Sequence, residues 1–464
     1  MLFHHGVFLF LFANLLIFYA LLSKRRPYQN WLLIAFSAYF YYKASGIYFL
    51  LLLTTISSDY LFSIAIIRSE KFKKQLTILG VLFSLSFLLY YKYAKFFIES
   101  IGLDPKEWEV DNLYLPIGIS FYTFQSISYL VDVYRNKIEL PKFQNYLLYM
   151  TFFPHLVAGP IVRAKDFLPQ LKKKLTLSKA NVNEGLYLIS KGLVKKAIIA
   201  DFVGQYVDII YAAPSGANGL ESLIATLCYT LQIFCDFSGY TDMAIGIALL
   251  LGYKLCVNFE SPYQSFSITE FWRRWHISLS SWLRDFIYIP LGGNQKGPNL
   301  QLLFLMITMT IGGFWHGADW KFMWWGIGHG LILIIHKLVS KYSKDWNSIY
   351  WNGLSWFLTF SSVALLWIPF RAQNASDSWV IFQNIFTKMS FSGFGQMFQQ
   401  NSLLIGLLII GFAATLLKQG IKEQFKRWYL NEHIIVKMVL LLLIIQCMYQ
   451  VQSSTVQPFI YFQF

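Results

Sequence analysis

Long apolar runs separated by short basic loops organise this chain. Residues 8–22, 76–89, 300–311 and 436–445 hold few or no charged side chains. Each reads as a helix in or across a bilayer. The backbone there must satisfy its own hydrogen bonds, so a polar face at helical spacing is not required. Lys24, Arg25 and Arg26 follow the first run, which predicts a span with its N-terminus outside and these three charges in the cytoplasm. The segment before them has no basic n-region and no small-residue cleavage site, so it is expected to stay uncleaved.

Spans over 28–42 and 47–67 bring the chain back to the cytoplasm at the basic stretch 68–74. A span ending near 97 leads to the acidic segment 99–111 outside, and 114–131 returns. Further spans near 197–211, 223–251, 300–315, 322–336, 351–370, 403–417 and 434–451 bring the expected total to about eleven or twelve, some short or tilted. The basic loops 163–174, 337–344 and 418–427 then fall inside, and the tail 452–464 falls outside. The run 146–161 is broken by Pro154, Gly159 and Pro160. It is expected to be re-entrant and packed in protein, and so is 282–291. No linker or internal repeat divides the chain, so one transmembrane domain over 1–464 is expected, ending in the outer tail.

Composition agrees with this reading. Of 464 residues, 56% are hydrophobic and 14% charged, and a mean hydropathy of +0.46 is more than a soluble core can hide. The net charge of +15 fits basic cytoplasmic loops, so membrane lipids and no nucleic acid are the expected surroundings. Cys228, Cys235, Cys256 and Cys447 lack the spacing of a metal or redox site, and no metal is expected.

An ionisable group at membrane depth is costly and marks a substrate path, a proton relay or a catalytic group. Two histidines stand in such positions. His276 closes Phe271-Trp272-Arg273-Arg274-Trp275-His276, and His316 lies in Gly312-Gly313-Phe314-Trp315-His316-Gly317. Polar residues mixed with glycine and aromatics recur in Pro116-Ile117-Gly118-Ile119-Ser120-Phe121-Tyr122, in Phe152 to Arg163, in Asp236-Phe237-Ser238-Gly239-Tyr240-Thr241-Asp242-Met243 and in Trp324 to Gly330. Such sequence lines an interior cavity. Asp236 and Asp242 are six apart, off one helix face, and read as structural hydrogen-bonding groups. His155 and His329 also read as structural.

On these residues the chain resembles the membrane-bound O-acyltransferases, and within them the bacterial branch of alginate and peptidoglycan O-acetylation membrane subunits. The resemblance covers residues 114–370, most specifically Phe152 to Ile161, Asp236 to Met243, Trp272 to Gly293 and Phe314 to Gly330. It implies an all-α polytopic fold of tilted helices around a central channel. It also implies His316 as catalytic residue, His276 as a second site residue, and an acyl thioester such as acetyl-coenzyme A as donor substrate, with no permanently bound cofactor. Imidazole suits this chemistry, because an unperturbed pKa near ~6.5 gives a base that is neutral at physiological pH. Arg273, Arg274 and Arg284 are candidates for the coenzyme phosphates.

The tail Pro458-Phe459-Ile460-Tyr461-Phe462-Gln463-Phe464 resembles the tyrosine-bearing end of the small companion protein in bacterial D-alanylation systems. Tyr461 is therefore a candidate acyl relay on the outer face, with an aromatic interface anchor as the plain alternative. The expected function is transfer of an acetyl group from cytoplasmic acetyl-coenzyme A across a bacterial inner membrane to an extracytoplasmic partner O-acetyltransferase. That partner would act on alginate, peptidoglycan or another exopolysaccharide. The rivals are a D-alanyl transferase fed by a carrier protein, a proton-coupled transporter or flippase, and a non-catalytic export scaffold.

Overall fold

The computed structural model describes residues 3, 6–173, 178–340, 348–392 and 394–451. Helix makes up 81% of it, with no strand among the described residues. The fold is the all-α polytopic one expected. Six helices have the length and apolarity to cross a membrane, or seven with the bent pair Ser402–Leu416 and Gln419–Asn431 taken as one span. Shorter apolar helices, Gly6–Leu21 and Ile434–Gln450, accompany them.

Two compact units divide the chain, one of Met1–Ile189 with Met243–Cys256, the other of Ser190–Asp242 with Val257–Phe464. In the first unit the helices Arg26–Ser45 and Phe49–Arg68 are separated by a break at Gly46, whose φ of 58° suits a residue without Cβ. The helix Ile119–Tyr134 begins after Gly118, at φ 78°, where a Cβ would stand 2.7 Å from the Leu156 carbonyl oxygen. Its residues 119–130 are all buried, so this helix lies inside the protein and needs no single apolar stripe. A buried carboxylate ties the unit together. Asp59 accepts from the hydroxyls of Ser84 at 3.0 Å, Ser126 at 2.8 Å and Tyr146 at 2.9 Å, joining three helices to the 146–161 run.

That run is packed in protein, as expected. The helices Phe143–Thr151 and Phe153–Leu156 are followed by irregular chain, and every residue from 146 to 164 is buried. Its polar groups are matched internally, the Tyr149 hydroxyl donating to the Val162 carbonyl at 2.8 Å. His155 Nε2 lies 2.8 Å from the Tyr149 carbonyl oxygen; a carbonyl only accepts, so Nε2 carries the proton and the ring pins the turn.

In the second unit the helices Pro298–His316 and Trp320–Val339 form a tight hairpin. Glycine sets their separation. A Cβ on Gly313 would stand 2.2 Å from the Phe322 carbonyl oxygen, and one on Gly326 would stand 2.4 Å from that of Met309. Both obstacles are backbone, so neither can swing aside. Gly313→Val is expected to lower the thermal unfolding midpoint in detergent, costing about 1–3 kcal/mol or more through overpacking. Gly353→Ala is the control: a Cβ there meets nothing within 4 Å, so the change is expected to be neutral or to stabilise by about 0.5–1 kcal/mol. Equal midpoints for the two variants would reject the contact.

Candidate active site

His316 is the last residue of the apolar helix Pro298–His316. The chain leaves it through extended Gly317, where a Cβ would stand 2.0 Å from the Phe322 ring. Asp319 then caps the next helix by accepting from the Lys321 N–H at 2.9 Å, and the Lys321 ammonium donates to the Ala372 carbonyl at 2.8 Å. The turn after the histidine is thus held by its own cap and by the chain at Ala372. The ring itself is 4% exposed and packs edge-to-face among aromatics. Centroids lie 5.0 Å away for Trp315, 5.1 Å for Trp325 and 5.2 Å for Phe370, at interplanar angles of 77°, 86° and 73°. Such a cage fixes the plane in which the ring nitrogens act.

His276 sits between the helices Ile268–Arg274 and Ile277–Leu283 in a left-handed conformation, φ 42° and ψ 54°. A non-glycine residue held there is strained and needs support from its surroundings. Asn258 supplies it. Its side-chain oxygen accepts from the Ser278 N–H at 3.1 Å and the Ser278 hydroxyl at 2.9 Å, and lies 3.2 Å from His276 Nδ1. Its backbone carbonyl accepts from the Ile277 N–H at 2.9 Å. A backbone N–H can only donate, so the oxygen of the amide must face Ser278, and His276 in its neutral form then carries its proton on Nδ1. Nε2 is left as the basic nitrogen. The His276 ring is 4.7 Å from Phe237 and 6.0 Å from Trp315, so the Trp315 indole neighbours both histidines.

The structure adds a third imidazole that sequence reasoning left as structural. His329 is fully buried, with centroids 4.6 Å from Trp325 and 5.1 Å from Trp272. Neither of its ring nitrogens has a hydrogen-bond partner among the described residues, nor have the indole N–H groups of Trp272 and Trp325. Buried polar atoms are almost always matched in folded proteins, which sets these apart.

The candidate arginines are dispersed. Arg273 is exposed, Arg274 pairs with Glu270 at 2.6 Å, and Arg284, also exposed, pairs with Asp285 at 2.8 Å. The carboxylates of the Asp236 to Met243 segment face lysines instead. Asp242 receives Lys191 at 3.1 Å and Lys195 at 2.8 Å, while Lys196 bonds Asp236 and also Asp201, the latter at 2.7 Å. A widened, π-helical stretch, Val194–Ala200, carries Lys195 and Lys196. No group of three or more metal-ligating side chains occurs among the described residues. Tyr461 lies outside the described residues.

The model of the membrane-bound O-acyltransferase family matches residues 34–367, a stretch that contains all of the histidines and arginines above. The chain belongs to that family. It is an acyltransferase and a multi-pass membrane protein. A Pseudomonas putida protein named "Probable alginate O-acetylase AlgI" is 35% identical over 506 residues, covering 100% of both chains. The Helicobacter pylori "Peptidoglycan O-acetyltransferase" is 37% identical over 378 residues, 75% of this chain and 72% of its own. A "Teichoic acid D-alanyltransferase" of Streptococcus thermophilus is 28% identical over 284 residues, 55% of this chain and 68% of its own.

Asn258 is the residue on which the His276 backbone depends. Asn258→Leu leaves the buried Ser278 N–H without its acceptor, and is expected to cost about 1–3 kcal/mol of stability. Acyl transfer should fall with it. Ser278→Ala removes one donor and should cost less, about 1 kcal/mol. Thermal unfolding and turnover of the two variants check the order, and a larger loss in Ser278→Ala would refute it.

Proposed function

We propose that this acyltransferase takes an acetyl group from acetyl-coenzyme A on the cytoplasmic side of a bacterial inner membrane. It passes the group to an extracytoplasmic partner that O-acetylates an envelope polysaccharide of the alginate or peptidoglycan kind. The observation that carries the reading is the buried His316 ring, fixed by three aromatic neighbours at the end of an apolar helix, in a chain similar over its whole length to an alginate O-acetylase. His316 acts as general base and His276 orients the thioester. The arginines have a smaller part, since Arg274 and Arg284 already hold carboxylates.

Tyr461 is the proposed first acceptor. The neutral His316 ring takes the phenolic proton, and the phenol oxygen attacks the thioester carbonyl. The carbon–sulfur bond breaks, and the departing thiolate recovers the proton from the imidazolium. The products are acetyl-tyrosine and free thiol, with His316 neutral again. A phenol of pKa near ~10 leaves more readily than a sugar alcohol, so transfer onward to a polysaccharide hydroxyl runs downhill. The coenzyme never crosses the membrane.

The second reading, D-alanyl transfer from a carrier protein, draws support from the teichoic acid D-alanyltransferases among the relatives. One experiment separates the two. Purified protein is incubated with acetyl-coenzyme A or with a D-alanylated carrier protein, and the C-terminal peptide and released thiol are followed by mass spectrometry. The expected result is acetyl on Tyr461, absent in Tyr461→Phe, with turnover reduced about 10²–10⁴-fold in His316→Ala, the usual contribution of a general base. Thiol release without a modified tail would remove Tyr461 as relay and keep the enzyme reading. Activity confined to the D-alanylated carrier would select the second reading.

A further inference from the structure

Two lysines of the second unit converge on a single carboxylate, and the helix that carries a third, Lys422, meets the same stretch of chain, its Tyr429 hydroxyl 3.3 Å from Ser190 Oγ. Lys191 and Lys195 share Asp242, at 3.1 Å and 2.8 Å, and Lys195 also donates to the Ser238 hydroxyl at 3.1 Å. Lys422, from the helix Gln419–Asn431, lies within electrostatic reach of both, yet its ammonium donates to neutral oxygens, Ser261 Oγ and the Thr415 carbonyl, each at 2.9 Å. Among the described residues, three lysines therefore neighbour one carboxylate. The neighbouring group, Lys196 with Asp201 and Asp236, has the opposite surplus, but its lysine is only 2% exposed and is spent on those carboxylates. The lysine cluster stays accessible at its rim, where the Lys191 side chain is 38% exposed against 18% for Lys195 and 14% for Asp242.

Surplus ammonium groups set in a partly buried place hold an anion, and the shared Asp242 keeps two of them in position for it. On the reading of the donor proposed above, we infer that Lys191, Lys195 and Lys422 bind a phosphate of the donor's phosphopantetheine arm, whether that arm belongs to coenzyme A or to an acyl-carrier protein. The lysines take the role that the sequence suggested for Arg274 and Arg284, whose charges the structure already matches. Basic runs at 191–196 and 418–427 meet here from distant parts of the chain, which fits a cytoplasmic entry point.

The test is equilibrium binding to the full chain in nanodiscs of phosphatidylcholine, with coenzyme A, pantetheine, and a carrier protein in its holo and apo forms as probes. Lys422→Gln and Lys191→Gln are each expected to weaken the phosphorylated probe by about tenfold, the effect of one charged hydrogen bond. Pantetheine, which lacks the phosphate, should bind unchanged. Whether coenzyme A or the holo-carrier shows the loss names the source. Equal weakening of pantetheine means the variants disturb the fold, and overturns the site. So does an effect seen only when phosphatidylglycerol is added to the disc, which assigns the lysines to lipid. Unchanged affinity for both phosphorylated probes overturns the site while leaving the donor reading intact. Absence of binding by either in the wild type sinks both.

Discussion

Backbone-to-backbone contact at Gly313 and Gly326 is the constraint from which the candidate site follows. With any side chain at either position, a carbonyl oxygen of the opposite helix would lie within 2.4 Å of the new Cβ. The two helices therefore approach as closely as their peptide groups allow, and the turn between them can be short. A short turn leaves His316 no freedom to follow the chain outward. It faces the aromatic side chains of its own hairpin, Trp315 and Trp325, together with Phe370 of the helix Ile349–Arg371. Catalysis by a base needs its nitrogen placed to within a fraction of an ångström. For His316 as the proposed base, the placement comes from glycine and indole, which have no competing acid or base of their own.

Aromatic rings also serve a membrane enzyme in another way. They fill space around a polar group with flat, rigid walls, at little cost in rotamer entropy, and they exclude water from a thioester that water would hydrolyse. Trp315 neighbours both His276 and His316, Trp325 neighbours both His316 and His329, and Trp272 packs on His329.

Much of this was legible in the sequence, and the reasons are physical. A histidine inside an apolar run is conspicuous because lipid-facing sequence has no use for it, which singled out His276 and His316. The break at Pro154 and Gly159 in the 146–161 run was legible for the same reason, since an interrupted helix has to be sheltered by protein. His329 was read from the sequence as structural, and its burial against Trp325 and Trp272 is a matter of tertiary packing. Asn258 escaped notice because it is 18 residues from His276 and an amide carries no charge to draw attention. The arginines were visible, yet so was Glu270, four residues before Arg274, a spacing that pairs charges on one helix face. The lysine cluster was out of reach, because Lys191, Asp242 and Lys422 meet only through tertiary packing.

The different partners of the two motif histidines argue for different tasks. In hydrolytic triads the base is backed by a carboxylate, which stabilises the imidazolium as it forms. His276 is backed by an amide, which fixes the tautomer and ring orientation and offers no negative charge. Its left-handed backbone adds a second restraint, so ring and main chain are both committed to one geometry. A group locked in this way is suited to holding a reacting carbonyl or thiol in place. It is poorly suited to accepting a proton and giving it up again. His316, at the end of a helix, is restrained by ring packing against its aromatic neighbours. Asp236 and Asp242, read from the sequence as structural hydrogen-bonding groups, bond Lys196 and the pair Lys191 and Lys195. The negative charge in the motif segment is thus spent on holding cations. In the proposed mechanism proton abstraction falls to His316, whose ring packs against Trp315, Trp325 and Phe370, and the substrate, as thiolate leaving group, takes the proton back.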